Sequence, residues 1–305
     1  MIPPTGMGIA EVICYPISIW ISSSFSGWPI SYYTYCAFSA IVLIVFMIFV
    51  YDDPEDDPFI SNNELIYLKS FNDTDSPKDT YNVPFCDLMT STAVWSIIIG
   101  FTVYVITVVF ILTEAPVFAS LILGFDTKNI GLITSISAIL EYIVTILSGI
   151  CADIIIRRKY LNVINTRKMF MILTTGIPAL CMFCIGYFNE IVSMTLLTLS
   201  FGCIGSYTTS IMTNIIEVSK ERSEVIMGIM SFTGHGAAFI IILLFGMLIQ
   251  DGNTASQWSL MFRIISAINL FGMIFFLMFA KAEQLTKSDV NITKQEMKSY
   301  KTIKD

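Results

Sequence analysis

Residues 128–159 read KNIGLITSISAILEYIVTILSGICADIIIRRK. From Asn129 to Ile156 the only charged side chains are Glu141 and Asp153. At about 1.5 Å of rise per residue, a helix of this length crosses a hydrocarbon layer of about 30 Å. Thr134, Ser137, Glu141, Thr145 and Ser148 recur at steps of three and four, so they share one face. The rest of the helix surface is apolar. A soluble amphipathic helix has a broad charged face, and this stretch has one narrow polar stripe instead. The run ends in Arg157-Arg158-Lys159, the kind of cationic cluster that borders membrane spans on the cytoplasmic side. The segment therefore reads as a membrane span with one polar seam.

Working outward, the same reading applies to eight stretches: 7–27, 30–51, 92–118, 128–154, 168–189, 192–214, 224–250 and 257–280. The fold class expected is all-α, a polytopic membrane protein with eight transmembrane helices. Composition agrees. Hydrophobic residues make up 55 % of the 305 and charged residues 13 %, where a soluble domain carries about 25 %. Mean hydropathy is +0.73. With 17 Lys+Arg against 24 Asp+Glu and no basic cluster beyond a short loop, a nucleic-acid surface is excluded. Met1–Gly8 holds no Lys or Arg, so it lacks the charged start of a signal peptide. Six of the seven cysteines lie in apolar stretches, and Cys181-x-x-Cys184 has no second pair, so it reads as packing rather than metal or redox chemistry.

Charge sets the orientation. The segment 52–91, the loop after the fourth span, the loop after the sixth and the tail from Lys281 hold 15 of the 17 positive residues. The other two are Lys128, at the opposite side, and Arg263, inside the last span. Positive residues concentrate on the cytoplasmic side, so both termini and 52–91 are expected there. The sequons at Asn72 and Asn291 fall on that side and read as chance matches.

Ser148-Gly149-Ile150-Cys151-Ala152-Asp153 followed by Arg157-Arg158-Lys159 resembles the G-x-x-x-D…R-R loop signature of the major facilitator superfamily. Trp28-Pro29, Asp53-Pro54, Pro58 to Leu68, Val83-Pro84-Phe85, Asn214-Ile215-Ile216-Glu217, Met227-Gly228 and Trp258-x-x-x-Phe262 resemble the anion:cation symporter branch. That branch includes sodium/phosphate cotransporters, sialin and vesicular glutamate transporters. The resemblance implies that residues 1–51 are the last two helices of an N-terminal bundle and 52–91 the cytoplasmic central loop. It implies a six-helix C-terminal bundle at 92–281, a cytoplasmic tail at 282–305, and no counterpart of the family's first four helices. It also implies a secondary active transporter of an organic anion or phosphate, with alternating access and coupling to Na⁺, H⁺ or membrane potential. The alternative is a truncated, non-transporting paralogue or partial gene product. The implied membrane is the plasma membrane or that of an intracellular vesicle or lysosome. Tyr104 stands where glutamate-transporting relatives carry an arginine, which weakens any carry-over of substrate.

Candidate residues come from polar groups inside apolar spans. A carboxylate near the bilayer midplane costs about 3 kcal/mol or more unless it meets water or a partner, so it marks a pathway by default. Glu141 is the leading candidate, and His235, the only histidine, lies near the middle of its own span. Tyr104, Glu114, Ser206, Ser210 and Asn214 complete the expected substrate or proton pathway. Asp153, Arg157 and Arg158 are expected to latch the cytoplasmic helix ends. No Walker-type loop, nucleophile elbow or paired Cys/His spacing occurs, so no catalytic residue, metal site or cofactor is expected beyond a coupling ion, Na⁺ or H⁺. The expected partners are a small anionic solute and the lipid bilayer.

Overall fold

The computed structural model describes residues 5–24, 27–51, 53–74, 85–219, 222–249 and 254–282. These residues form helices α1 (Thr5–Ser24), α2 (Trp28–Phe49), α3 (Asn62–Thr74), α4 (Phe85–Thr90), α5 (Thr92–Leu121) and α6 (Thr127–Arg157). They continue as α7 (Val163–Cys184), α8 (Glu190–Val218), α9 (Ser223–Ile249) and α10 (Ala255–Phe279). Among the described residues, α2 and α5 to α10 are the seven helices long and apolar enough to cross a membrane. The first expected span is α1, whose apolar stretch Val12–Ser22 is shorter. In lipid every backbone N–H and C=O must be satisfied internally, which is why these sequences fold as helices throughout.

The chain divides into two compact units, Ile17–Asn82 and the remainder. In the smaller unit, Gly27 adopts φ +98° and lets the chain reverse before Pro29 starts α2. Hydroxyls join the two helices: Ser22 Oγ lies 2.9 Å from Ser31 Oγ, and Ser18 Oγ 2.8 Å from the Tyr35 hydroxyl. The stretch of α2 from Ala40 to Phe49 is exposed and apolar all round, as a lipid-facing span is. The segment 52–91 is polar but carries α3, whose start is capped by Ser61 accepting from Glu64 N–H at 3.2 Å.

In the larger unit, α5 is the central helix. It packs on α9, α10 and α8, and Ile97, Ile98, Phe110 and Ala119 are fully or almost fully buried. Phe110 and Phe118 from α5 meet Phe262 from α10 at centroid distances of 5.3 and 5.0 Å, and Phe110 meets Phe245 from α9 at 5.5 Å. Edge-to-face aromatic contacts of this kind tie three helices at one level. α6 sits at the side, against α8. Its Ile136, Ile139, Ile143, Leu147, Ile150 and Ile154 form an exposed stripe at helical spacing, a face built for lipid.

The fifth span also differs from the sequence reading. The fifth was expected at 168–189 and occupies Val163–Cys184. Gly186, at φ +96°, ends it early, and a side chain there would also meet Ser259 Oγ at 2.5 Å. At its start Arg167, read from sequence as a loop cation, lies inside the helix and is buried. A pairing across 50 residues, described below, stabilises that placement.

Candidate polar seam between the sixth and eighth helices

The polar stripe of α6 faces α8 and is zipped to it at three levels. Ser137 Oγ donates to Thr198 Oγ1 at 3.1 Å, the Thr145 hydroxyl lies 3.0 Å from the Gly205 carbonyl, and Ser148 Oγ is 2.9 Å from Thr209 Oγ1. Gly202 and Gly205 allow this approach. An added Cβ at Gly205 would collide with the Glu141 carbonyl and stand 2.6 Å from Thr145 Oγ1; at Gly202 it would collide with Leu140. Small residues at a helix contact bring backbones close enough for such bonds.

Glu141 is half-buried in the middle of this seam. Its Oε1 lies 3.0 Å from Thr145 Oγ1, the same hydroxyl that faces the Gly205 carbonyl. A threonine hydroxyl has one proton to give. The Thr145 hydroxyl can therefore donate to Glu141 Oε1 or to the Gly205 carbonyl, one at a time, and both acceptors lie 3.0 Å from it.

Beside the seam, α7 and α8 each carry a π-helical turn, Ile172–Gly176 and Thr208–Met212. Such turns free backbone groups and recur at functional sites. The two turns are linked: Thr174 Oγ1 is 2.8 Å from Ser206 Oγ and 3.3 Å from Ser210 Oγ. Ser206 and Ser210 are fully buried and also bond to backbone carbonyls. Tyr104 of α5 is half-buried and stacks on Tyr207 of α8 at 4.1 Å and 17°.

Nearer the end of α8, Arg167 Nη2 reaches Glu217 Oε1 at 2.6 Å and Arg167 Nε reaches the same carboxylate at 3.1 Å. Arg167 Nη1 donates to the Thr209 carbonyl inside the π turn at 3.1 Å. Side-chain exposures are 8 % for Arg167 and 20 % for Glu217, so the pair is largely withdrawn from solvent. Asn214, fully buried, donates to Glu217 Oε2 at 3.3 Å and to the Lys281 carbonyl at 2.8 Å.

The remaining expected residues lie elsewhere. His235 is on an exposed face of α9, with Nδ1 2.9 Å from the Ser231 carbonyl. Its helix packs chiefly on α5, while that of Glu141 packs on α8. Glu114 is half-buried, and Thr113 Oγ1 approaches it at 3.4 Å. Asp153, Arg157 and Arg158 are exposed. Among the described residues, Arg167 and Glu217 form an ion pair that joins α7 to α8 at this end. Arg167, Thr174 and Tyr207 were not singled out from sequence. Glu217 stands in the Asn214-Ile215-Ile216-Glu217 stretch that carries the family resemblance, but its partner could not be read from periodicity.

A family model described as Major Facilitator Superfamily matches residues 4–242. Mouse sodium-dependent phosphate transport protein 3 is 28 % identical over 259 residues, covering 84 % of this chain and 54 % of that protein. Zebrafish (Danio rerio) vesicular glutamate transporter 3 is 24 % identical over 296 residues, covering 95 % of this chain and 50 % of that protein. The chain thus spans about half the length of these relatives. Among solved structures, an outward-facing bacterial homologue of the iron transporter ferroportin matches with a TM-score of 0.53 at 13 % identity. That match covers 72 % of this chain and 53 % of that one and speaks to fold alone.

Proposed function

Because this chain belongs to the Major Facilitator Superfamily, in the branch of the sodium-dependent phosphate and vesicular glutamate transporters, we propose that it serves secondary active transport of phosphate or an organic anion. The polypeptide is a multi-pass membrane protein. Carriers of this kind hold solute near the bilayer midplane between two helical bundles that rock about it. In this reading, Glu141 is the proton-exchanging group of the α6–α8 seam, and Tyr104, Ser206, Ser210 and Asn214 belong to the polar path beside it. The observation that carries the reading is the Thr145 hydroxyl, 3.0 Å from both Glu141 Oε1 and the Gly205 carbonyl, so that a change of charge on Glu141 would act on the bond between two helices.

The test is uptake of radiolabelled phosphate and glutamate into proteoliposomes holding the 305-residue chain. An imposed Na⁺ gradient, pH gradient or potassium-diffusion potential would be applied in turn. Saturable uptake driven by one of them is expected. Its absence under all three, with the protein correctly inserted, would leave the chain as a non-transporting member of the family. Glu141→Gln cannot ionise and is expected to flatten the pH dependence of uptake by about an order of magnitude or more across the active range, with insertion unchanged. An unaltered pH profile would return Glu141 to a packing role.

Both termini and the segment 52–91 are placed on the cytoplasmic side in this proposal. A cysteine introduced at Asn72 is expected to stay unmodified by an impermeant maleimide in sealed cells, relative to the parent background, and to react once the cells are opened. Rapid labelling in sealed cells would reverse the orientation.

A further inference from the structure

At the end of the larger unit where α6 finishes and α7 begins, a concave pocket of about 780 Å³ opens between three segments. Its wall includes Ile156 and Lys159 from the end of α6, Asn162 and Lys168 from the start of α7, and Lys281 from the chain leaving α10. Three lysines thus line it from three separate stretches, and among the described residues no carboxylate does. Lys281 is held there from behind, since Asn214 of α8 donates to its carbonyl at 2.8 Å. The first turn of α7 contains no acidic residue, and Asn162 does not cap it with its side chain. The free amides of that turn therefore add to the positive field of the lysines.

Lys159 is informative for a second reason. It has φ +54°, in the left-handed region. Its N–H bonds to Ile156 O at 3.0 Å and the next, Tyr160 N–H, to Ile155 O at 3.1 Å, the two bonds of a Schellman ending for α6. Glycine is the usual residue at this place, because a side chain there is strained. The chain keeps a lysine where stability alone favours glycine, and its side chain lines the pocket.

We propose that this pocket binds a phosphate group, carried on an anionic lipid headgroup or free in solution. Its chemistry suits that ligand: three lysines and a helix N-terminus line a space large enough for a phosphorylated headgroup, with no acid among the described lining residues. On the orientation argued above, this is the end that meets the cytoplasmic leaflet, where anionic lipids reside. The site is separate from the Glu141 seam, and its test does not depend on uptake.

The full chain would be placed in phosphatidylcholine nanodiscs with or without phosphatidylinositol bisphosphate, and lipid retention read by native mass spectrometry. In parallel, inorganic phosphate and soluble inositol trisphosphate would be titrated into lipid-free detergent samples. Retention of the phosphorylated lipid assigns the pocket to a headgroup. Saturable binding of inorganic phosphate without lipid preference assigns it to the free anion. In either case Lys168→Gln and Lys281→Gln should each weaken binding by about fivefold, and the triple variant with Lys159→Gly by about 100-fold. Lys159→Gly relieves the backbone strain, so it should weaken binding while raising the unfolding temperature, which separates loss of the site from loss of the fold. Lys128→Gln, the same charge change at the other end of α6, should alter binding less than twofold. Failure of both probes to bind, or undiminished binding in Lys159→Gly and in the triple variant, would overturn the proposal.

Discussion

Gly205→Ala is expected to lower the unfolding temperature of the detergent-solubilised chain by roughly 5–10 °C, with a parallel loss of whatever uptake the parent shows. The backbone at Gly205 has φ −53° and ψ −22°, which alanine adopts freely, so the cost is steric alone. The new methyl would press on the Glu141 carbonyl and on Thr145 Oγ1. A carbonyl in the middle of α6 cannot swing aside, so the two helices must part. Overpacking of this kind costs about 1–3 kcal/mol and breaks the Thr145–Gly205 bond as well. Gly202→Ala meets the half-buried Leu140 side chain, whose χ1 can change where a backbone carbonyl cannot, and should cost less. Gly228→Ala and Gly246→Ala meet nothing within 4 Å and should leave stability unchanged or raise it through helix propensity. Equal effects at all four glycines would mean that the α6–α8 approach is not as close as described.

The second large effect is expected at Arg167. Removing one partner of a largely buried ion pair leaves the other uncompensated, which costs about 3–5 kcal/mol. Arg167→Ala should therefore be strongly destabilising, because it strands the Glu217 carboxylate and also releases the Thr209 carbonyl in the π turn of α8. Glu217→Gln keeps a hydrogen-bond acceptor toward the arginine and should be milder. The double variant Arg167→Ala/Glu217→Gln removes both charges and should recover part of the loss, though not the Thr209 bond. Denaturation of the four proteins in one detergent gives the coupling directly. Additive losses would show that the two side chains act independently and that the pair does not fasten α7 to α8.

Much of this molecule is legible in the amino-acid order, because the bilayer imposes simple demands. A stretch such as 128–159 can satisfy its backbone in lipid only as a helix, so its length and composition suffice to locate it. The three- and four-residue spacing of Thr134, Ser137, Glu141, Thr145 and Ser148 shows that one face is meant for something other than lipid. Residues at the end of α6, such as Asp153 and Arg157-Arg158-Lys159, carry the resemblance that points to the family. Where periodicity is the signal, the reading falls within a few residues of the structure. The fifth span is the exception: its start depends on whether Arg167 is a loop cation or a buried one, and hydropathy treats both alike.

What faces the polar stripe is a different kind of question, and only the tertiary structure answers it. The stripe on α6 predicts a partner but not which helix supplies it. The answer, Gly202 and Gly205 of α8, rests on the absence of side chains, which leaves no hydrophobic or polar signal to follow. The paired π turns, the Tyr104–Tyr207 stack and the Arg167–Glu217 bond join residues far apart in sequence. Each arises from how three-dimensional packing resolves the helix ends and the unsatisfied groups between them. The sequence by itself thus determined which segments enter the membrane and which of their faces are polar, because burial in lipid acts on each segment separately. Only the fold decided that Glu141 lies beside the Thr145 hydroxyl that joins two helices, because that depends on distances between segments no local pattern encodes.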